Sequence, residues 1–159
     1  MNAGRILVAL ALVGVASTAT AQPVTQVVNI EVNAISQIAV TGGDQTLTIS
    51  TATAGSPLTN ASATVSWAVT TNQLNQKISA SLDANLPAGL VLTAQAEAPA
   101  SGGLSTGPNV LTTTASDLVT GISTTAEGGL DLTYELSASL TLGVVSESRL
   151  VTYTITAGP

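Results

Sequence analysis

Cysteine, histidine and phenylalanine are all absent from this 159-residue chain. Without Cys there is no disulfide, no thiol nucleophile and no thiolate metal ligand. Without His the usual general base near neutral pH is missing. Charge is scarce as well: three Lys and Arg stand against nine Asp and Glu. Nucleic-acid binding depends on Lys and Arg contacts to phosphate, so that partner class is excluded. No phosphate loop, nucleophile elbow or zinc-protease motif occurs. A glycosidase would need two carboxylates across a cleft. Glu97, Asp117, Glu127 and Asp131 instead adjoin Gly/Ser/Thr-rich stretches, where solvated acids are expected. The expectation is that the chain is not an enzyme.

Long apolar runs are also missing. Ile6 to Ala16 is too short for a membrane span, which needs about 20 apolar residues. With Arg5 before it and Ala19-Thr20-Ala21 after it, this run reads as a secretory signal over residues 1–21. No Cys follows to carry a lipid, and Val151–Pro159 holds no sorting motif or basic tail. The expected product is secreted, extracellular or at the cell surface, with no transmembrane anchor. Cleavage after Ala21 leaves Lys77 and Arg149 as its only cations.

What the chain does have is aliphatic and threonine-rich alternation. Ala63, Val65, Trp67 and Val69 alternate with Thr64, Ser66 and Ala68. Ile78, Ala80 and Leu82 continue the pattern, as do Leu90, Leu92, Ala94 and Ala96. The clearest run is Leu130, Leu132, Tyr134, Leu136, Ala138, Leu140, Leu142; the closing one is Val151, Tyr153, Ile155. Leu47 and Ile49 against Thr46 and Thr48 add a short run. Period two marks half-buried strands, and Thr suits their wet face. Breaks fall at Gly42-Gly43-Asp44, Ala54-Gly55-Ser56-Pro57, Asn72-Gln73, Asp83-Ala84-Asn85, Pro87-Ala88-Gly89, Pro99 to Pro108, Glu127-Gly128-Gly129 and Gly143. Only Ser116 to Ile122, where Asp117 can open a single turn, hints at helix. Short strands at this spacing predict an all-β fold, an Ig-like or jelly-roll β-sandwich of about eight strands.

The opening segment is too long for one ordinary strand. Val28, Ile30, Val32, Ala34, Ser36, Ile38 and Val40 occupy its even positions, and it would span about 43 Å at roughly 3.3 Å per residue. Either it bends into two strands of one sandwich, or its first half leaves the domain and completes a neighbour. Ile35, apolar out of phase, marks a bend or bulge near Asn33. The resulting division is an N-terminal arm over 22–33, a candidate donor strand, and a sandwich domain over 34–159.

The remaining candidates are sparse. Asp83 and Asn85, and Glu127 with Asp131, lie in short acidic clusters with flexible backbone and are the candidate ligands for calcium, which takes six to eight oxygens; no other cofactor is expected. Lys77 alternates out of phase with Ile78 and Ala80 and is expected to face solvent rather than form an isopeptide link. Arg149 is expected to pair with a nearby acid or solvate a turn. Trp67, Tyr134 and Tyr153 are in phase with Val, Leu and Ile and belong to the core rather than to a sugar-stacking platform. Asn60-Ala61-Ser62 is a lone sequon in a loop. Edge protection by Lys, Pro or inward charge is scarce, so strand edges tolerate pairing with another chain.

Several segments carry a family likeness: Ile30-Glu31-Val32-Asn33-Ala34-Ile35-Ser36-Gln37-Ile38-Ala39-Val40, Thr70-Thr71-Asn72, Leu86-Pro87-Ala88-Gly89-Leu90 and Arg149-Leu150-Val151-Thr152-Tyr153-Thr154-Ile155-Thr156. Over its mature length the chain resembles bacterial exported β-proteins. In organisation it is similar to donor-strand-type, pilus-like surface fibre subunits, although its arm holds no Gly, which many pilin donor strands carry. That resemblance implies a structural protein of a fibre, pilus or biofilm matrix, with the chain itself as partner in a head-to-tail homopolymer. Val28, Ile30 and Val32 would be the inserted side chains of the polymerisation arm. The alternative is a monomeric adhesion or binding module, calcium-dependent, whose partner would be a surface glycan or matrix.

Overall fold

The computed structural model describes residues 21–159. The secretory signal expected over 1–21 lies outside the described residues, except for Ala21. Backbone contacts divide the chain between Val32 and Asn33. In the first unit, residues 21–32 form no strand or helix and all are exposed.

The second unit, Asn33–Pro159, is an all-β sandwich. Its strands are β1 (Ser36–Thr41), β2 (Ala61–Thr71), β3 (Gln76–Leu82), β4 (Leu90–Ala96), β5 (Leu104–Ser105), β6 (Asn109–Val110), β7 (Ser116–Ile122), β8 (Thr125–Ala138) and β9 (Val151–Ala157). One sheet has the order β1-β2-β8-β4-β6 and the other β5-β7-β3-β9. Every pairing is antiparallel.

Alternation in the sequence becomes alternation in burial. Val65, Trp67 and Val69 of β2 meet Ile78, Ala80 and Leu82 of β3, Ala94 and Ala96 of β4, and Leu130, Leu132 and Tyr134 of β8 in one core. Leu118, Val119 and Ile122 of β7, with Leu111 just after β6, complete it. Each fully buried Val, Leu or Ile contributes about 1.5–3 kcal/mol. With so few aromatics the layers are thin, and Trp67, only 2% exposed, is the largest side chain they enclose.

Four expectations are corrected. Ser116–Ile122 is strand β7, not a helical turn: burial of three of its apolar side chains against the core outweighs the capping signal of Asp117. Glu127-Gly128-Gly129 does not break the chain, because β8 runs through it. Trp67 pairs with Leu130 and Ala68 with Gly128, so Gly129 is the extra residue of a bulge, at φ +76°. Leu47 and Ile49 are half-buried in alternation with exposed Thr46 and Thr48, yet they form no strand, because no neighbouring edge supplies a ladder. The run ending at Leu142 stops at Ala138; Leu140–Leu142 is a single 3-10 turn capped by the Ser139 side chain.

The ladders fix two poles. At one lie the start of β1, the 72–75 turn, the 123–124 turn and the end of β9. At the other lie the 42–60 excursion and the connections 83–89, 112–115 and 139–150. A Cβ at Gly129 would meet no atom within 4 Å, so Gly129→Ala probes only the left-handed backbone. It should lower stability by about 1–2 kcal/mol, read from urea denaturation.

Candidate assembly surface

The two lateral sides of the sandwich are built differently. On one side the outer strands β5 and β6 have two residues each, flanked by Gly102-Gly103 and Gly107-Pro108. Such short, punctuated edges resist further pairing. On the other side, β1 (Ser-Gln-Ile-Ala-Val-Thr) and β9 (Val-Thr-Tyr-Thr-Ile-Thr-Ala) are long and uncharged. Each is the terminal strand of its sheet.

The inner faces of these two edges are incompletely covered. Ser36, Ile38 and Val40 oppose Thr71, Val69 and Trp67, and Val151, Tyr153 and Ile155 oppose Leu82, Ala80 and Ile78. The interior partner of each pair is buried. The edge members are not: Val40 is 38% exposed, and Ile38, Val151, Tyr153 and Ile155 are half-buried. β1 and β9 approach one another without pairing. The result is an apolar seam bordered by two ladders that are free among the described residues.

Asn72 fixes the point where the arm joins the domain. Its Nδ2 donates to the Asn33 carbonyl at 2.8 Å, and its Oδ1 accepts from the Ile35 N–H at 2.8 Å. Its own N–H donates to the Ile35 carbonyl at 3.1 Å. A side-chain amide thus extends the β1–β2 ladder past the first strand residue. In the sequence Asn72 reads only as a turn residue; its donor-plus-acceptor use depends on a segment 37 residues away. In the arm, Val28, Ile30 and Val32 are exposed, as are Val24 and Val27.

Three of the four candidate calcium ligands, Asp83, Asn85 and Glu127, hold backbone N–H groups through their side chains, and Asp131 takes part through its main chain. Asp83 Oδ1 accepts from Leu150 N at 3.0 Å, and Asn85 Oδ1 from Thr113 N at 3.1 Å. Glu127 accepts from Ala100 N at 3.0 Å and Ser101 N at 3.4 Å. Asp131 exchanges bonds with Glu97: its N–H donates to the carboxylate at 2.9 Å, and its carbonyl accepts from Glu97 N at 2.8 Å. Asp83 and Asn85 share one connection, whereas Glu127 and Asp131 lie on β8 on either side of the bulge. Among the described residues, no three acidic, His or Cys side chains are grouped to hold a metal ion.

Lys77 does not stand free in solvent as expected. Its Nζ meets Asp117 at 3.1 Å across β3 and β7, with 28% of its side chain exposed. Arg149 pairs with Glu147 at 2.6 Å and donates to the Asn85 carbonyl. Half-exposed pairs of this kind contribute about 0–1 kcal/mol. Trp67 is in the core, where its indole N–H has no acceptor among the described residues. Tyr134 is buried there too, and its hydroxyl bonds that of Tyr153 between the two sheets. Burial raises the pKa of both phenols above the usual tyrosine value, and for Tyr153 the bond to Tyr134 adds to the rise.

Among the described residues no helix is long and apolar enough to cross a membrane. No family model, curated protein or solved structure matches the chain. The class the fold defines is a two-sheet antiparallel β-sandwich.

Asn72→Ala removes both the acceptor for the Ile35 N–H and the donor to the Asn33 carbonyl. The Ile35 amide should then exchange faster in hydrogen-exchange NMR, by the equivalent of about 0.5–1.5 kcal/mol. The tyrosine pair sets an alkaline limit. Both phenols are held neutral in the fold, so their contribution is fully present below about pH 10, where an unfolded Tyr ionises. It is lost as pH rises towards their higher folded values. The urea midpoint should fall between pH 9 and 11, and fall less in Tyr153→Phe.

Proposed function

We propose that this chain is an exported structural subunit of an extracellular fibre or matrix. It polymerises head to tail by adding residues 22–33 to the β1/β9 seam of a neighbouring copy. What supports this is a match of two unpartnered features. The arm alternates Val28, Ile30 and Val32 with Asn29, Glu31 and Asn33. The seam offers half-covered Ile38, Val40, Val151, Tyr153 and Ile155 between two neutral ladders. A strand laid there gains backbone hydrogen bonds along one edge and buries alternate side chains in the seam. Contact of one patch with a different patch on the next copy continues without closing.

Each Val or Ile moved from water into the seam contributes about 1.5–3 kcal/mol. Ile30→Asp should therefore weaken assembly roughly ten- to hundredfold. The sandwich domain should stay folded, because Ile30 is exposed in the single chain. Light scattering and electron microscopy of the mature protein, of Ile30→Asp and of a version lacking 22–33 provide the measurement. Full-length protein that remains monomeric at high concentration would rule the polymer out.

A further inference from the structure

The direction in which an arm lies along its neighbour decides whether addition can repeat. Val28, Ile30 and Val32 are the side chains that enter the seam, and the residue after Val32 is already fixed to its own domain. The Asn33 carbonyl accepts from Asn72 Nδ2 at 2.8 Å, and the Ile35 N–H donates to Asn72 Oδ1 at 2.8 Å. Consecutive Cα atoms are only about 3.8 Å apart. No spare chain therefore separates the last inserted side chain from the donor's 72–75 turn; the spare residues of the arm all precede Val28. Whichever end of the neighbour's edge receives Val32 must abut that turn.

β9 ends at the pole of the 72–75 turn and begins at the opposite one. An arm parallel to β9 would bring Val32 to the end of that strand and set two 72–75 turns face to face. Each copy would then hold the other's arm, a closed two-fold pair that cannot grow. An arm antiparallel to β9 brings Val32 to Val151 instead, beside the 139–150 connection. The donor's 72–75 turn then meets the opposite pole of its neighbour, and the contact repeats without closing. β1 runs the other way, so open growth on it would need parallel pairing. Parallel ladders are slightly less stable per residue, and every pairing within the sandwich is antiparallel. β1 also offers only Ile38 and Val40 to three inserted side chains, because its remaining inward position is Ser36, whose hydroxyl is bonded to that of Thr71 at 3.0 Å. β9 offers Val151, Tyr153 and Ile155, all half-buried. We infer that the arm pairs antiparallel with β9 of the next copy, with Val28, Ile30 and Val32 opposite Ile155, Tyr153 and Val151. Val27, Asn29 and Glu31 then face solvent opposite Thr156, Thr154 and Thr152. The assignment rests on the polymer proposed above.

The chain has no native Cys, so added pairs report the direction. Residues opposed on neighbouring strands lie within disulfide reach. Mature Glu31→Cys/Thr152→Cys and Glu31→Cys/Thr156→Cys proteins are assembled, mildly oxidised and run on a non-reducing gel. Thr152 and Thr156 are both exposed, so neither substitution disturbs the core. Expected is a ladder well beyond dimer from the Thr152 pair, with at least tenfold less multimer from the Thr156 pair. In parallel, peptide-level hydrogen exchange of assembled wild-type protein should slow at least tenfold over Val151–Ala157 and stay unchanged over Ser36–Thr41. If wild-type filaments form but the Thr152 pair gives no ladder, or β1 rather than β9 gains protection, the assignment is wrong and strand addition survives. If wild-type protein forms no multimers at high concentration, the polymer and the assignment fall together.

Discussion

The pairing of β2 with β8 carries the sandwich. It runs from Ala61 opposite Leu136 to Thr71 opposite Thr125, and it is flanked by β1 on one side and β4 on the other. A chain with no Phe and one Trp cannot fill a thick core, so the sheets must approach closely and keep their inward side chains in strict phase. The bulge at Gly129 is where that phase is adjusted. It inserts one residue opposite the Trp67–Ala68 step, and Leu130, Leu132 and Tyr134 still face inward beyond it. Gly128 next to it sits close under Ala68, where a Cβ would approach at 3.3 Å. The two glycines thus do different work, one conformational and one steric.

From this centre outward the order weakens unevenly. Towards β5 and β6 the sheets end in two-residue pairings, with Gly and Pro cutting each one short. Towards β1 and β9 they end in full-length strands whose inward side chains are half in water. The sparse charges are spent on local anchoring: Asp83, Glu97 and Glu127 each accept backbone N–H groups. None of the charged side chains belongs to β1 or β9. The open side is therefore neutral as well as apolar, a combination that admits another strand more readily than it repels one.

Much of the fold was legible from period-two patterns, because in β2, β3 and β8 the same residues that alternate also reach the core. The misreadings share one cause: local pattern does not contain the partner. Thr46 to Ile49 has the right period but no adjacent edge, and remains outside the sheets. Ser116 to Ile122 looks ambiguous alone, and is a strand because β3 and β5 flank it. The acidic residues around the Gly pair looked like a flexible loop until β2 held that part of β8 on one side and Glu97 bonded Asp131 on the other. Asn72 was invisible as an anchor because its role depends on residues 33 and 35 meeting it from far along the chain.

Trp67 has one more consequence. Its direct neighbour on the outermost strand is Val40, whose side chain is partly in water at the uncovered edge. The chain's sole indole therefore sits one residue in from that edge, with an N–H that no group among the described residues engages. A strand added beside β1 would change the surroundings of Val40 and, through it, of Trp67, so indole emission of the unlabelled protein would report it.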